Sequence, residues 1–305
     1  MITLVLRRLL WVVPTLFVVV TLTFVLMRVM PGSPFSTERQ LTPETKAVLE
    51  QKYHLNGSIP SQYGYYLLHT IQGDLGPSLQ YRNRTVDEII AQSLPVSMLL
   101  GGLAYLLALF AGIPIGAYAA IQHNRPADRI LVLIALLGLS VPSFVLAPLL
   151  VMLLAVDLHV LPVAGWGSPD QIILPAFCLS VPFIAAVARL TRGSLLDVLK
   201  LDFIRTARAK GLSEDTVLFR HALKIAILPL ISFSGPALAG ILTGSLVIET
   251  IFDIPGIGRF FVNSISNRDT MMTCGVVLVF SAFLLFMNLV ADVLLSLLDR
   301  RVRIE

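Results

Sequence analysis

Residues 189–224 read RLTRGSLLDVLKLDFIRTARAKGLSEDTVLFRHALK, and this stretch decides how the chain is organised. It holds eight Lys and Arg residues, yet it sits between two runs with no charge at all, Gln171–Ala188 and Ile225–Ile248. A helix that crosses a bilayer needs about 20 apolar residues, because the hydrocarbon core is about 30 Å thick. The basic stretch is therefore a loop between two crossings. Working outward, four more uncharged runs appear: Leu9–Met27, Leu94–Ile121, Ile130–Val156 and Met271–Ala291. Composition agrees. Of 305 residues, 56% are hydrophobic and only 14% charged, and the mean hydropathy is +0.82. A soluble domain has about 25% charged residues. We expect an all-α integral membrane protein with six spans.

Basic residues set the orientation, since cytoplasmic loops are enriched in Lys and Arg. With the N-terminus inside, the inner segments hold 15 Lys and Arg and the outer segments 7. Five of the outer ones lie in one long loop, where the rule carries little weight. Both termini are expected in the cytoplasm. The first span is too long for a signal-peptide core and has no small-residue cleavage site after it. The expected organisation is residues 1–30 as N-terminus and first span, 31–93 as a periplasmic helical insertion, and 94–305 as a five-span core carrying the loop 189–224.

The insertion carries helix signals. Thr42-Pro43 opens a run over Glu44–Tyr53, Ser61 can cap a run to Gln72, and Thr85-Val86-Asp87-Glu88 is a capping box. Five of the seven tyrosines lie here: Tyr53, Tyr63, Tyr65, Tyr66 and Tyr81. They suit an interfacial belt or a docking surface. In the second span Ala104, Ala108, Gly112, Gly116 and Ala120 recur every four residues, and in the fifth Ser232, Pro236, Gly240 and Gly244 do the same. Small residues at that spacing let backbones meet closely in lipid. Such ridges serve packing within one bundle or contact with another subunit, and the sequence leaves both open.

The inner loop is punctuated for structure. Asp202 is expected to cap a short helix that Gly211 ends in the left-handed C′ position. Ser213 opens a second helix, with Glu214 and Asp215 in its first turn and Arg220, His221 and Lys224 later, a charge order that suits the helix dipole. The loop is expected to be a platform for a soluble partner, with a merely solvated loop as the other reading. Chemistry of its own is not evident. The chain has no phosphate-binding G-x-x-x-x-G-K-[ST] and no Gly-Lys pair, no H-E-x-x-H, five scattered histidines, and two cysteines (Cys178, Cys274) in apolar runs. Glu249 and Asp292 edge the fifth and sixth spans, and their roles stay open.

Asp202-Phe-Ile-Arg-Thr-Ala-Arg-Ala-Lys-Gly211, Phe219-Arg-His-Ala-Leu-Lys224 and Ile227-Leu-Pro229 resemble the cytoplasmic EAA loop of ABC-importer permeases. The likeness is to the peptide/nickel branch, and within it to B-type subunits of oligopeptide importers. Arg205 and Thr206 depart from the general motif, while Ala207 and Gly211 match it. Met30-Pro-Gly-Ser-Pro34, Gly73-Asp-Leu-Gly-Pro-Ser78, Glu249-Thr-Ile-Phe-Asp-Ile-Pro-Gly-Ile-Gly258 and Asn267-Arg-Asp269 extend it along the chain. The resemblance implies half of a heterodimeric oligopeptide channel in a bacterial inner membrane. The other half would be a homologous C-type permease. Two ATPase subunits would bind ATP and magnesium below, and a periplasmic binding protein would deliver peptide. This chain would have no cofactor and no catalytic residue. Asp202, Arg205, Thr206, Ala207, Arg208 and Gly211 would couple it to the ATPase, with Ala207 facing the ATPase groove. Ala108, Gly112, Gly116, Gly240 and Gly244 remain helix-packing or subunit-interface residues. A scaffold or receptor that moves no solute, or a secondary carrier, are the competing classes.

The orientation is tested by cysteine labelling. A thiol at Ser58 should react with an impermeant reagent from outside, and one added after residue 305 should not.

Overall fold

Every crossing candidate is helical because a backbone in lipid must satisfy its own hydrogen bonds. The structure is a computed structural model that describes residues 2–30, 57–81 and 84–298, with side chains left undescribed at 2–5, 243 and 244. Its helices are α1 (Ile2–Val29), α2 (Ile59–Ile71), α3 (Val86–Ile121), α4 (Pro126–Ser140), α5 (Ser143–Leu150), α6 (Pro169–Val198), α7 (Asp202–Ala209), α8 (Leu223–Ala226), α9 (Leu228–Ile251), α10 (Ile257–Ser266) and α11 (Thr270–Leu298). Among the described residues there is no strand, only an isolated bridge between Pro77 and Thr85. Five helices are long and apolar enough to cross a membrane, and a bent pair makes six if it counts as one span.

That bent pair corrects the uninterrupted third span expected over Ile130–Val156. The axis turns by 100° between Pro126–Ser140 and Ser143–Asp157. The cause is Pro142. Its ring pushes the preceding residue out of the helical region, and Val141 has φ −83° and ψ 115°. The second arm continues from α5 into a π-helical segment, Val151–Asp157.

The chain packs as two compact units. The first holds Leu99–Ile254 with the described parts of Met1–Leu6 and Leu284–Glu305. Helix α6 is its hub, touching α4, α5 and α9. A capping box between Ser168 and Gln171 starts α6. The ridge of the second span faces α6 within this same chain. A Cβ added at Gly112 would lie 2.7 Å from Val187 Cγ1 and 2.9 Å from the Ile184 carbonyl oxygen. One added at Gly116 would collide with the Ala188 carbonyl oxygen. Ala104, Ala108 and Ala120 are buried beside them. A Cβ added at Gly240 would lie 3.6 Å from the Phe183 ring edge, an ordinary contact, and Gly244 lies in α9, with its side-chain surroundings outside the described residues. The sequence did not single out Gly235, where an added Cβ would lie 3.1 Å from Asn288 Cα on α11. At the α3–α4 turn Asp128 takes Arg192 through two bonds, Nε–Oδ1 at 2.6 Å and Nη2–Oδ2 at 2.8 Å, and also accepts from the Asn124 amide at 2.9 Å. The α3–α4 turn is thereby pinned to α6.

The second unit holds the described parts of Arg7–Met98, with Pro255–Phe283. Tyr63 and Tyr66 pack on Phe24 of α1, and Tyr81 packs on Phe260 of α10. These three tyrosines take part in internal packing. Helix α2 begins at Ile59 behind Ser58, not at Ser61 as expected, and Pro60 lies in its first turn. The Thr85–Glu88 capping box is present, with Thr85 N donating to Glu88 Oε2 at 3.2 Å and Glu88 N to Thr85 Oγ1 at 3.4 Å. It starts α3 at Val86, eight residues before the apolar run. The run Glu44–Tyr53 and Pro31–Pro34 lie outside the described residues. Asp269 joins two motifs far apart in sequence. Its Oδ2 accepts from Ser78 Oγ (2.5 Å), Leu79 N (2.9 Å) and Gln80 N (3.2 Å), and its Oδ1 accepts from Met272 N (3.1 Å). Burial pushes this carboxyl above its ordinary range, against hydrogen bonds that favour the charged form.

The close packing of α3 on α6 predicts a contrast. Gly116→Ala should lower the thermal stability of the detergent-solubilised protein, since overpacking costs about 1–3 kcal/mol. Gly193→Ala should leave it unchanged or raise it, because nothing lies within 4 Å of a Cβ there.

Candidate coupling surface

Helix α7 follows α6 after a short turn, and two residues fix its attitude. Ile204 and Ala207, three apart and so on one face, are buried, while Asp202, Phe203, Arg205, Thr206, Arg208 and Ala209 are exposed. The buried pair packs with Val217, Ala222 and Ala226, with Leu195 and Val198 of α6, and with Ala117 and Ala120 of α3. The helix ends as its glycine requires. Gly211 has φ +77°. Its amide donates to the Arg208 carbonyl (2.9 Å), and the Leu212 amide to the Ala207 carbonyl (3.4 Å). Those two bonds are the Schellman closure.

The second helix starts at Ser213, whose Oγ accepts from Thr216 N at 3.4 Å and pairs with Thr216 Oγ1 at 2.9 Å. It passes through a π-helical segment, Thr216–Ala222, which the sequence did not show, into α8. Arg208 clasps the two arms, with Nε 2.8 Å and Nη2 3.1 Å from the Glu214 carboxylate. The platform is thus one piece: a buried seam beneath, a left-handed corner, and an ion pair across it.

Two expectations for this surface need correction. Asp202 is the first helical residue, not the cap. Leu201 occupies the cap without a side-chain bond, and Asp202 Oδ1 lies 3.3 Å from Arg205 Nη1 instead. Ala207 does not face outward; it is only 7% exposed, turned into the chain's own core. Its smallness serves the approach of α7 to α3 and α6. Thr206 is exposed, with its hydroxyl bonded back to the Asp202 carbonyl at 3.0 Å. The outward face has a feature the sequence reading passed over. Phe203 is 38% exposed, Leu212 40% and Phe219 61%, amid exposed Arg205, Lys210 and Arg220. Large apolar residues in a charged loop, off the Ile204–Ala207 face, were the available signal.

Glu249 is fully buried in α9 and accepts from Ser245 Oγ at 2.7 Å. Asp292 is half-buried on α11. Cys178 and Cys274 are buried free thiols. Among the described residues no group of His, Cys, Asp and Glu gathers that could hold a metal ion.

Comparison with known proteins agrees with this architecture. Residues 112–304 match the family model described as the binding-protein-dependent transport system inner membrane component. The oligopeptide transport system permease protein OppB of Salmonella typhimurium is 47% identical over 301 residues, 98% of each chain. The dipeptide transport system permease protein DppB of Bacillus subtilis is 42% identical over 291 residues, 95% of this chain and 94% of that one. In fold, the chain resembles a chain of the inward-facing MetNI methionine ABC transporter. The TM-score is 0.58 at 17% identity, covering 70% of this chain and 97% of that one. A helical architecture with five or six crossings, a capped platform between two of them and relatives matched over nearly their whole length converge: the chain belongs to the family of inner membrane components of binding-protein-dependent transport systems.

Proposed function

We propose that this chain is the permease subunit that forms half of the path of an ATP-driven importer, carrying oligopeptides from the periplasm to the cytoplasm. The names of its full-length relatives support the peptide cargo. The observation that carries the coupling role is the platform itself. It has a rigid seam on one side and Phe203, Leu212 and Phe219 exposed on the other.

In this reading the other half of the path is a homologous permease, two ATPase subunits dock below, and a periplasmic binding protein delivers peptide. ATP and magnesium belong to the ATPases. Both termini lie in the cytoplasm, residues 31–93 form the periplasmic insertion, and the part of 189–224 beyond the end of α6 at Val198 meets an ATPase. Asp202, Arg205 and Thr206 lie on the contact face, whereas Arg208, Ala207 and Gly211 hold its shape. No catalytic step falls to this chain: it transmits a conformational change driven elsewhere.

The assembled importer in proteoliposomes should take up oligopeptide only with ATP and binding protein present. Uptake that ignores ATP, or no uptake by an intact assembly, would overturn the reading. Two variants probe the platform. Gly211→Val strains the backbone, at about 1–2 kcal/mol, but crowds nothing, since no atom lies within 4 Å of a Cβ there. Phe203→Ser removes an exposed aromatic without touching the seam. Each should reach the membrane at the normal level yet weaken ATPase co-purification roughly tenfold, the scale of an interface hot spot. Each should also lose the stimulation of ATP hydrolysis by loaded binding protein.

A further inference from the structure

Helices α3, α4 and α6 leave a slot of about 180 Å³ between them. Ile115 and Ala119 line it from α3, Val132, Ala135 and Leu136 from α4, and Ala188 from α6. Only two lining residues carry charge, Arg189 and Arg192. They differ in what holds them. Arg192 is committed to Asp128 through two hydrogen bonds. Arg189 is exposed, and its guanidinium makes no hydrogen bond or ion pair among the described residues. Arg129 is exposed too. On α4 it stands three residues before Val132 and seven before Leu136, so it shares the slot's face at the inner end.

Depth identifies the occupant. Gly116 lies five residues before the end of α3, and Leu131–Leu136 lie five to ten residues into α4. At 1.5 Å per residue these levels are about 8–15 Å from the inner helix ends. On the orientation proposed above, that is the inner leaflet. Ligand pockets for whole small molecules run to about 300–1,000 Å³; this slot admits a narrow apolar chain. Basic sites between spans on the cytoplasmic side take anionic lipid headgroups. We propose that the slot holds one acyl chain of an inner-leaflet anionic phospholipid, whose phosphodiester pairs with Arg189, with Arg129 as the second cation. Asp128 keeps Arg192 from competing for the phosphate and so positions the charge at the rim.

The test uses the assembled importer in nanodiscs of phosphatidylcholine doped with phosphatidylglycerol that carries a photoactivatable acyl chain. Crosslinks should map to residues 131–136 and 115–119. Arg189→Gln should reduce them about fivefold, the effect of one basic residue near an anionic surface. Arg125→Gln should not, because Arg125 is bonded to Gln122. Excess glycerophosphoglycerol, the headgroup without chains, should leave labelling unchanged. Equal labelling by photoactivatable phosphatidylcholine, displacement by the soluble headgroup, absence of labelling, or wild-type labelling of Arg189→Gln would each overturn the lipid site. Peptide uptake by the same assemblies reads the transport function separately, so failed labelling with intact uptake rejects this inference alone.

Discussion

Helices α3 and α6 meet backbone to backbone, and the rest of the first unit depends on that contact. In lipid there is no hydrophobic gain from pressing two apolar helices together; association rests on close van der Waals packing. Gly112 and Gly116 supply it, since a side chain at either would press into α6 around Ile184, Val187 and Ala188. Because α6 also carries α4, α5 and α9, its distance from α3 sets the geometry of the bundle. The contact continues below the glycines. Ala117 and Ala120 of α3 and Leu195 and Val198 of α6 form the bed into which Ile204 and Ala207 of α7 are pressed. The platform is therefore an extension of the α3–α6 pair, not a loop hung from it.

This continuity explains how a chain without a nucleotide-binding motif takes part in ATP-driven transport. In the proposed coupling role, a push on the outer face of α7 would pass through the Ile204–Ala207 seam into two crossing helices at once. The Arg208–Glu214 pair keeps the corner from folding under that load. Exposed ion pairs contribute little to stability as a rule, about 0–1 kcal/mol; here the bidentate geometry fixes direction more than it adds energy. The second unit has its own pin, Asp269, which gathers the Ser78–Gln80 amides and hydroxyl onto the start of α11.

Much of this was legible in the sequence because it rests on local rules. The uncharged runs marked the crossings, Gly211 marked the left-handed corner, and Thr85 with Glu88 marked the start of α3. The break at Pro142 was equally local, but the apolar run across it masked the signal. What escaped needed partners distant in sequence. Ala207 reads as a small residue suited to any groove, and only α3 and α6 show that the groove is the chain's own. Asp128 with Arg192, and Ser78 with Asp269, are pairs 64 and 191 residues apart, which no spacing rule connects. The π-helical segment at Thr216–Ala222 has no composition signal of its own. Asp202 missed the cap position by one residue, the usual uncertainty of a helix end.

The central claim is that platform and crossing helices move as one body. The direct measurement is a pair of spin labels, on Thr206 of α7 and on Leu106 of α3, both exposed, with the buried native cysteines replaced by alanine. Pulsed electron spin resonance of the assembled importer would compare the nucleotide-free and ATP-trapped states. The account predicts one unchanged distance distribution in both. A shift of the main distance between them would show that α7 hinges on its own, and would contradict it.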